Sequence, residues 1–132
     1  MTRIPLPEER LTRSIIGAFF EVYNTLGFGF LEHVYVMALE RELIDRGHRV
    51  AREVSVHVAY KDHVLAVQRI DMIVDEKVVV ETKAGAELPC AAQRQLFNYL
   101  RATSLEVGLL LHFGLEPRFH RVFCSNKGSK SA

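Results

Sequence analysis

The run Arg69-Ile70-Asp71-Met72-Ile73-Val74-Asp75-Glu76-Lys77-Val78-Val79-Val80-Glu81-Thr82-Lys83-Ala84 holds two apolar segments separated by three charged residues. β-Branched residues dominate both segments, so they read as two strands joined by a turn. The second segment ends in a carboxylate and an ammonium two residues apart. Positions i and i+2 of a strand share a face, which places Glu81 beside Lys83. Charge at the end of an apolar strand needs a reason, because burying it unpaired is costly. A same-face ion pair on a solvated edge is one reason, and such pairs contribute little. A site for a hard cation is the other. Mg²⁺ and Mn²⁺ prefer oxygen ligands and take one or two carboxylates while keeping several waters. Asp71 and Glu81 supply two such groups, and a lysine beside them can orient water or stabilise developing negative charge.

Parity decides whether Asp71 reaches Glu81. A two-residue turn at Asp75-Glu76 pairs Val74 with Lys77 and Asp71 with Val80, and Glu81 then faces away. A three-residue loop, Asp75-Glu76-Lys77, pairs Val74 with Val78 and Asp71 with Glu81. The second register is expected, because it leaves three charged residues in the loop and valines on both strands. In it the Thr82 side chain points away from Glu81 and away from the ligands.

Upstream, Leu11, Ile15, Ile16, Phe19, Val22 and Tyr23 recur at helical spacing from about Glu8, and Gly27 and Gly29 end that helix. A second helix is expected from about Leu31 to Arg46, with Leu31, Val34, Tyr35, Ala38, Leu39 and Leu43 as its stripe and Gly47 as its stop. Val54, Val56, Val58 and Tyr60 alternate with polar or small residues and predict a half-buried strand. Lys61-Asp62-His63 is a turn. After a loop at 84–89, a helix is expected from Cys90 to Ala102, with Ala92, Leu96, Tyr99 and Leu100 on one side. Tyr99 reads as a core-rim residue, and Gln95 with Arg94 and Asn98 as a solvated face. Val107 to Phe113 is nearly continuous apolar sequence, expected as a strand covered on both faces. His120 to Cys124 suits an edge strand. The order ααβββαββ implies an α/β fold with a mixed central β-sheet flanked by helices. Residues 1–124 are expected to form one domain, and 125–132 a disordered polar tail.

The 132 residues are 48% hydrophobic and 25% charged, the balance of a folded globular chain. No apolar run is long enough to cross a bilayer, and no apolar stretch follows Arg3 as a signal peptide requires, so no membrane partner is expected and the cytoplasm is the default location. Cys90 and Cys124 are far apart and read as reduced thiols. The six histidines show no His-x₃-His spacing, which argues against structural zinc. A net charge of +1 leaves any basic surface local or supplied by a partner. A homodimer would enlarge the surface offered to a duplex, although the sequence does not show one.

Gly29-Phe30-Leu31-Glu32-His33-Val34-Tyr35 fits the pattern Gly-x-x-Glu-x-x-Tyr. With Asp71, Glu81-Thr82-Lys83, Gln95-Leu96-Phe97-Asn98-Tyr99-Leu100 and Gly108-Leu109-Leu110-Leu111-His112-Phe113-Gly114 in this order, the chain resembles the GxxExxY family across about residues 8–124. That family is placed among PD-(D/E)XK nuclease-like proteins. The resemblance implies an αβββαβ restriction-endonuclease-like core and hydrolysis of phosphodiester bonds in DNA or RNA with Mg²⁺ or Mn²⁺. By the same resemblance Glu32, Asp71, Glu81, Lys83 and Gln95 are the catalytic residues. The metal ligands would be Asp71, Glu81 and the Thr82 main-chain carbonyl, with Glu32 as a further candidate. Thr82 departs from the aliphatic residue usual at its position. Glu32 has a plainer role as well, since a carboxylate in a first helical turn complements the dipole. The alternative function is a noncatalytic nucleic-acid-binding or assembly module that keeps the fold. A third reading is an enzyme acting on a smaller phosphate ester.

Overall fold

The three charged residues between the two valine-rich segments form a locked turn. In the computed structural model, which describes residue 4 and residues 6–125, Asp75 and Glu76 adopt positive φ angles of 52° and 60°. The Lys77 N–H closes the turn on the Val74 carbonyl at 3.0 Å. Asp75 is held from several sides. Its N–H donates to the Arg49 carbonyl, its Oδ1 accepts from the Arg49 N–H, and its Oδ2 lies 2.8 Å from His48 Nδ1. His48 Nε2 in turn lies 2.7 Å from Ser14 Oγ. The Ser–His–Asp order is that of a hydrolytic triad, but Ser14 sits inside a helix whose N–H groups are spent on helical bonds, so no oxyanion cradle forms around it. The chain is a clamp on the turn, and it selects the register Val74↔Val78, Ile73↔Val79, Met72↔Val80.

The elements run α1 (Glu9–Leu26), α2 (Glu32–Asp45), β1 (Val50–Tyr60), β2 (His63–Val74), β3 (Val78–Ala84), α3 (Ala92–Arg101), β4 (Val107–Phe113) and β5 (Pro117–Phe123). The strands form one sheet in the order β1-β2-β3-β4-β5. Only the β3–β4 pair is parallel, as the α3 crossover between them requires. The mixed α/β architecture expected from the sequence is present.

Each sheet face has its own core. Ile15, Phe19, Tyr35 and Leu39 of α1 and α2 bury against Met72, Val80, Leu109 and Phe113. Phe113 meets Phe19 edge-on with centroids 4.8 Å apart and stacks on Tyr35 at 4.2 Å. On the opposite face, Leu96, Tyr99 and Leu100 of α3 bury against Val79, Leu110, Ile70 and Val56. β4 is buried along its whole length, as its apolar run predicts. No helix among the described residues is long and apolar enough to cross a membrane. Both cysteines are free thiols, Cys90 exposed and Cys124 buried.

Three expectations need correction. β1 begins at Val50 and is not half-buried throughout: Val56 is buried, but Val58 and Tyr60 are exposed. The β1–β2 ribbon overhangs, because β3 pairs with β2 only between Met72 and Val74. Beyond that support Val56 and Ile70 still bury against α3, but the outer residues Val58, Tyr60, Val64, Leu65 and Val67 are exposed. Leu31 leaves the α2 stripe and is exposed, because it occupies the extended cap position before the helix. The edge strand starts earlier than expected, at Pro117. The polar tail from 126 onward lies outside the described residues.

Candidate active site

β1 and β2 do not alternate smoothly. Met72 and Val74 bury beneath α1 and α2, yet Ile70 buries beneath α3. Val50 and Val54 of β1 divide in the same way. The slip falls between the pairs Arg52↔Met72 and Val54↔Ile70. There Glu53 takes a φ of 52°, a conformation costly for a residue with a Cβ. Asp71 lies opposite Glu53 at this pivot, where β2 also parts from β3.

Parting of the strands exposes backbone groups that Asp71 satisfies with its side chain. The Thr82 N–H and Thr82 Oγ–H both donate to Asp71 Oδ2, at 2.8 and 2.9 Å. The Asp71 N–H donates to Glu81 Oε2 at 3.4 Å. The two carboxylates are thereby brought together at the fork. The strand register gives Thr82 a main-chain role alone and turns its side chain away from the ligands; here the structure differs, because its hydroxyl fixes Asp71. Thr82→Val keeps the side-chain volume and the N–H bond but removes the hydroxyl. It should lower stability by about 1 kcal/mol, read by thermal melting, and an unchanged melting curve would contradict a fixing role.

Glu81 is 6% exposed. Burial, reinforced by the charge of Asp71 and hydrogen bonding between the two carboxyl groups, pushes its pKa up to about 9, although Lys83 and the Asp71 N–H pull the other way. Glu81 therefore holds a proton at neutral pH. Tyr99 belongs to the same environment, a role that the helical pattern, which marks it as a core-rim residue, does not reveal. Its phenol is pushed above the usual 10.0 by burial and then by the charges of Glu81 and Asp71.

Lys83 is half-buried one step along β3 on the Glu81 side. It pairs in register with His112 of β4. His112 is buried, and its Nε2–H donates to the Gly85 carbonyl at 2.8 Å, anchoring the loop that follows Lys83. A lone polar residue in the apolar run Val107 to Phe113 was the available signal for it.

The Gly-x-x-Glu-x-x-Tyr stretch now has a physical account. Gly29 supplies a φ of 115° in the connector between α1 and α2. Tyr35 is fully buried, donates to the Gly27 carbonyl and accepts from the Phe30 N–H. Glu32 Oε1 accepts from the Ala84 N–H at 3.3 Å. Glu32 thus reaches the end of β3, next to Lys83, but does not join the carboxylate pair. Among the described residues, no group of three His, Cys, Asp or Glu side chains is positioned to hold a metal ion. Gln95 lies exposed on α3, with its buried neighbour Leu96 turned to the sheet. The structure brings together Asp71, Glu81 and Thr82, with Lys83 and Tyr99 in electrostatic reach, and leaves Glu32 at the rim.

Residues 9–122 match the family model described as the PD-(D/E)XK nuclease superfamily. No curated protein matches the chain in sequence. Solved structures similar in fold include the following two. The protein SSO0001 is 19% identical with a TM-score of 0.53, covering 88% of this chain and 58% of its own. An alkaline exonuclease from Laribacter hongkongensis (LHK-Exo) is 9% identical with a TM-score of 0.52, covering 96% of this chain and 73% of its own. This chain therefore spans somewhat over half of the length of SSO0001.

Proposed function

The chain belongs to the PD-(D/E)XK nuclease superfamily, and from that premise we propose that it is a Mg²⁺- or Mn²⁺-dependent nuclease of the GxxExxY branch, acting on phosphodiester bonds of DNA or RNA. The observation that carries this reading is the Asp71–Glu81 pair at the fork of β2 and β3, with Lys83 beside it. Two carboxylates forced together in a buried place are a poor resting arrangement without a cation, as the raised pKa of Glu81 expresses. Oxygen donors converge there, and one or two carboxylates are what Mg²⁺ takes while retaining waters.

Asp71 and Glu81 would hold the cation, with the Thr82 carbonyl as a further oxygen. When bound, such an ion supplies Lewis-acid activation of a phosphate oxygen and of water. Asp71 is pre-oriented for ligation by the Thr82 N–H and hydroxyl. Lys83 donates to the attacking water or to the negative charge growing on the phosphate. Glu32 stands at the rim through its bond to the Ala84 N–H and fixes the end of β3. Gln95 acts from α3 on the substrate rather than on the carboxylates.

The test is cleavage of single-stranded, duplex and branched DNA and of RNA by purified protein in Mg²⁺ and in Mn²⁺. Asp71→Asn is expected to abolish cleavage. It is also expected to remove the rise in melting temperature that either metal gives the wild type, since a ligand that binds only the native state stabilises it by mass action. An equal metal response in wild type and variant, with no substrate cut, would contradict the reading.

A further inference from the structure

The overhanging outer half of the β1–β2 ribbon does not stand free of the whole protein. Between it and the last turns of α3 runs a groove of about 660 Å³. Its α3 wall carries Asn98, Tyr99 and Arg101, and its ribbon wall carries Lys61, Asp62 and Gln68. We propose that this groove holds a single strand of nucleic acid and leads it to the Asp71–Glu81 pair; the proposal rests on the nuclease reading and names the form of its substrate.

Three observations support it. The first is chemistry. Lys61 and Arg101 bring positive charge against the single acid Asp62, a balance suited to a phosphate backbone. Gln68 and Asn98 offer paired donors and acceptors of the kind that read exposed base edges. Val56, Val58 and Ala102 add apolar wall against which a base or sugar can rest.

The second is size. A volume of about 660 Å³ lies in the range that takes a ligand of drug size, which is room for roughly one or two nucleotides at a time. A duplex brings two backbones and a stack of paired bases, and a groove of this volume suits one strand rather than both.

The third is continuity with the site. Tyr99 lines the groove and packs in the same buried cluster as Ile70, the residue next to Asp71 on β2. A strand lying along Asn98 and Arg101 is thereby directed past Tyr99 toward that part of β2. The overhang of the ribbon, which packing within the chain does not explain, becomes the second wall of a channel.

The experiment measures binding apart from cleavage. Fluorescent single-stranded DNA and RNA of about 12 nucleotides, and the duplexes of the same sequence, are titrated with the intact protein in EDTA at several salt concentrations. The doubly substituted variant Lys61→Gln/Arg101→Gln is compared with Arg13→Gln/Arg41→Gln. The latter removes the same charge from exposed positions on α1 and α2, beyond the opposite face of the sheet. Single strands should bind more tightly than duplex. The groove variant should lose tenfold or more in affinity and flatten the salt dependence by about 1.4, two phosphates at ~0.7 each. The control should bind as wild type does. Equal binding by the groove variant and the control, or a preference for duplex, overturns the proposal. Binding of none of the nucleic acids, with capture of an acidic peptide instead, overturns it too.

The same variants separate this proposal from its premise. If wild type cleaves and the groove variant binds and cleaves equally well, the groove assignment falls and the nuclease stands. If the groove variant alone loses binding while wild type cuts nothing in Mn²⁺, the groove stands and the nuclease falls.

Discussion

Replacing Lys83 with alanine is expected to cut the rate of phosphodiester cleavage by about 10²–10³, the loss typical of removing one donor aimed at developing charge. Metal binding should change little. An ammonium has no lone pair to offer a cation, so its work is confined to water or to the phosphate. Lys83 is half-buried on β3 next to the Glu81 side chain, and burial strengthens its interaction with charge in the transition state. Lys83→Arg should recover only part of the rate, because a planar fork does not reproduce a compact point charge. The assay is single-turnover cleavage in Mn²⁺ alongside metal titration of the same samples. A Lys83→Ala protein that cleaves as fast as wild type would place any activity elsewhere.

Glu81→Gln is expected to do two opposite things. In the absence of metal the folded-state pKa of Glu81 lies at about 9, against 4.5 for the unconstrained group. A raised folded pKa gives stability that is complete below pH 4.5 and is lost as pH rises through about 9. Between those limits the native state holds a proton that the unfolded chain has released. Metal-free wild type should therefore lose stability steadily from mildly acid to alkaline pH. Glutamine is neutral throughout and can donate to Asp71, so the variant should lack this slope. Near pH 9 it should melt higher than wild type by an amount on the order of 5 °C or more, the equivalent of a few kcal/mol. With Mn²⁺ the order should reverse, because only wild type gains from the ion. Melting curves across pH, with and without metal, read both effects. Parallel curves for the two proteins would contradict the coupling between Glu81 and Asp71.

The register at the candidate site was legible because period-two alternation leaves only two choices at Asp75-Glu76-Lys77, and one of them points Glu81 the wrong way. The valines on both sides and three adjacent charges favoured the three-residue loop. The structure adds why that loop holds: Asp75 is gripped by Arg49 and His48, residues distant in sequence whose partnership no local pattern reveals. The helices were legible from their apolar spacing, and β4 from its unbroken run.

Other features were hidden for physical reasons. The slip in alternation at Glu53 and Asp71 depends on one residue adopting a positive φ that its side chain does not advertise. That slip accounts for Thr82, whose hydroxyl meets a carboxylate that smooth alternation would have kept away. Tyr99 looked like a core residue because it is one: it is 6% exposed and packs with Leu96 and Leu100. Its second face, toward the acidic pair and the groove, follows only from the angle at which α3 crosses the sheet. Exposure of Val58 and Tyr60 was equally hidden, since alternation marks which residues share a face and not whether anything covers that face.

The proposed cation site at the fork of β2 and β3 consists of Asp71 and Glu81. It is tested most directly by crystals of the protein soaked in Mn²⁺ and measured for anomalous scattering. An anomalous peak is expected between the two carboxylates, about 2–2.4 Å from an oxygen of each by the usual lengths for hard cations, and absent from Asp71→Asn crystals. A map in which both carboxylates are ordered and no peak lies between them, or in which the ion sits on other residues, would contradict it.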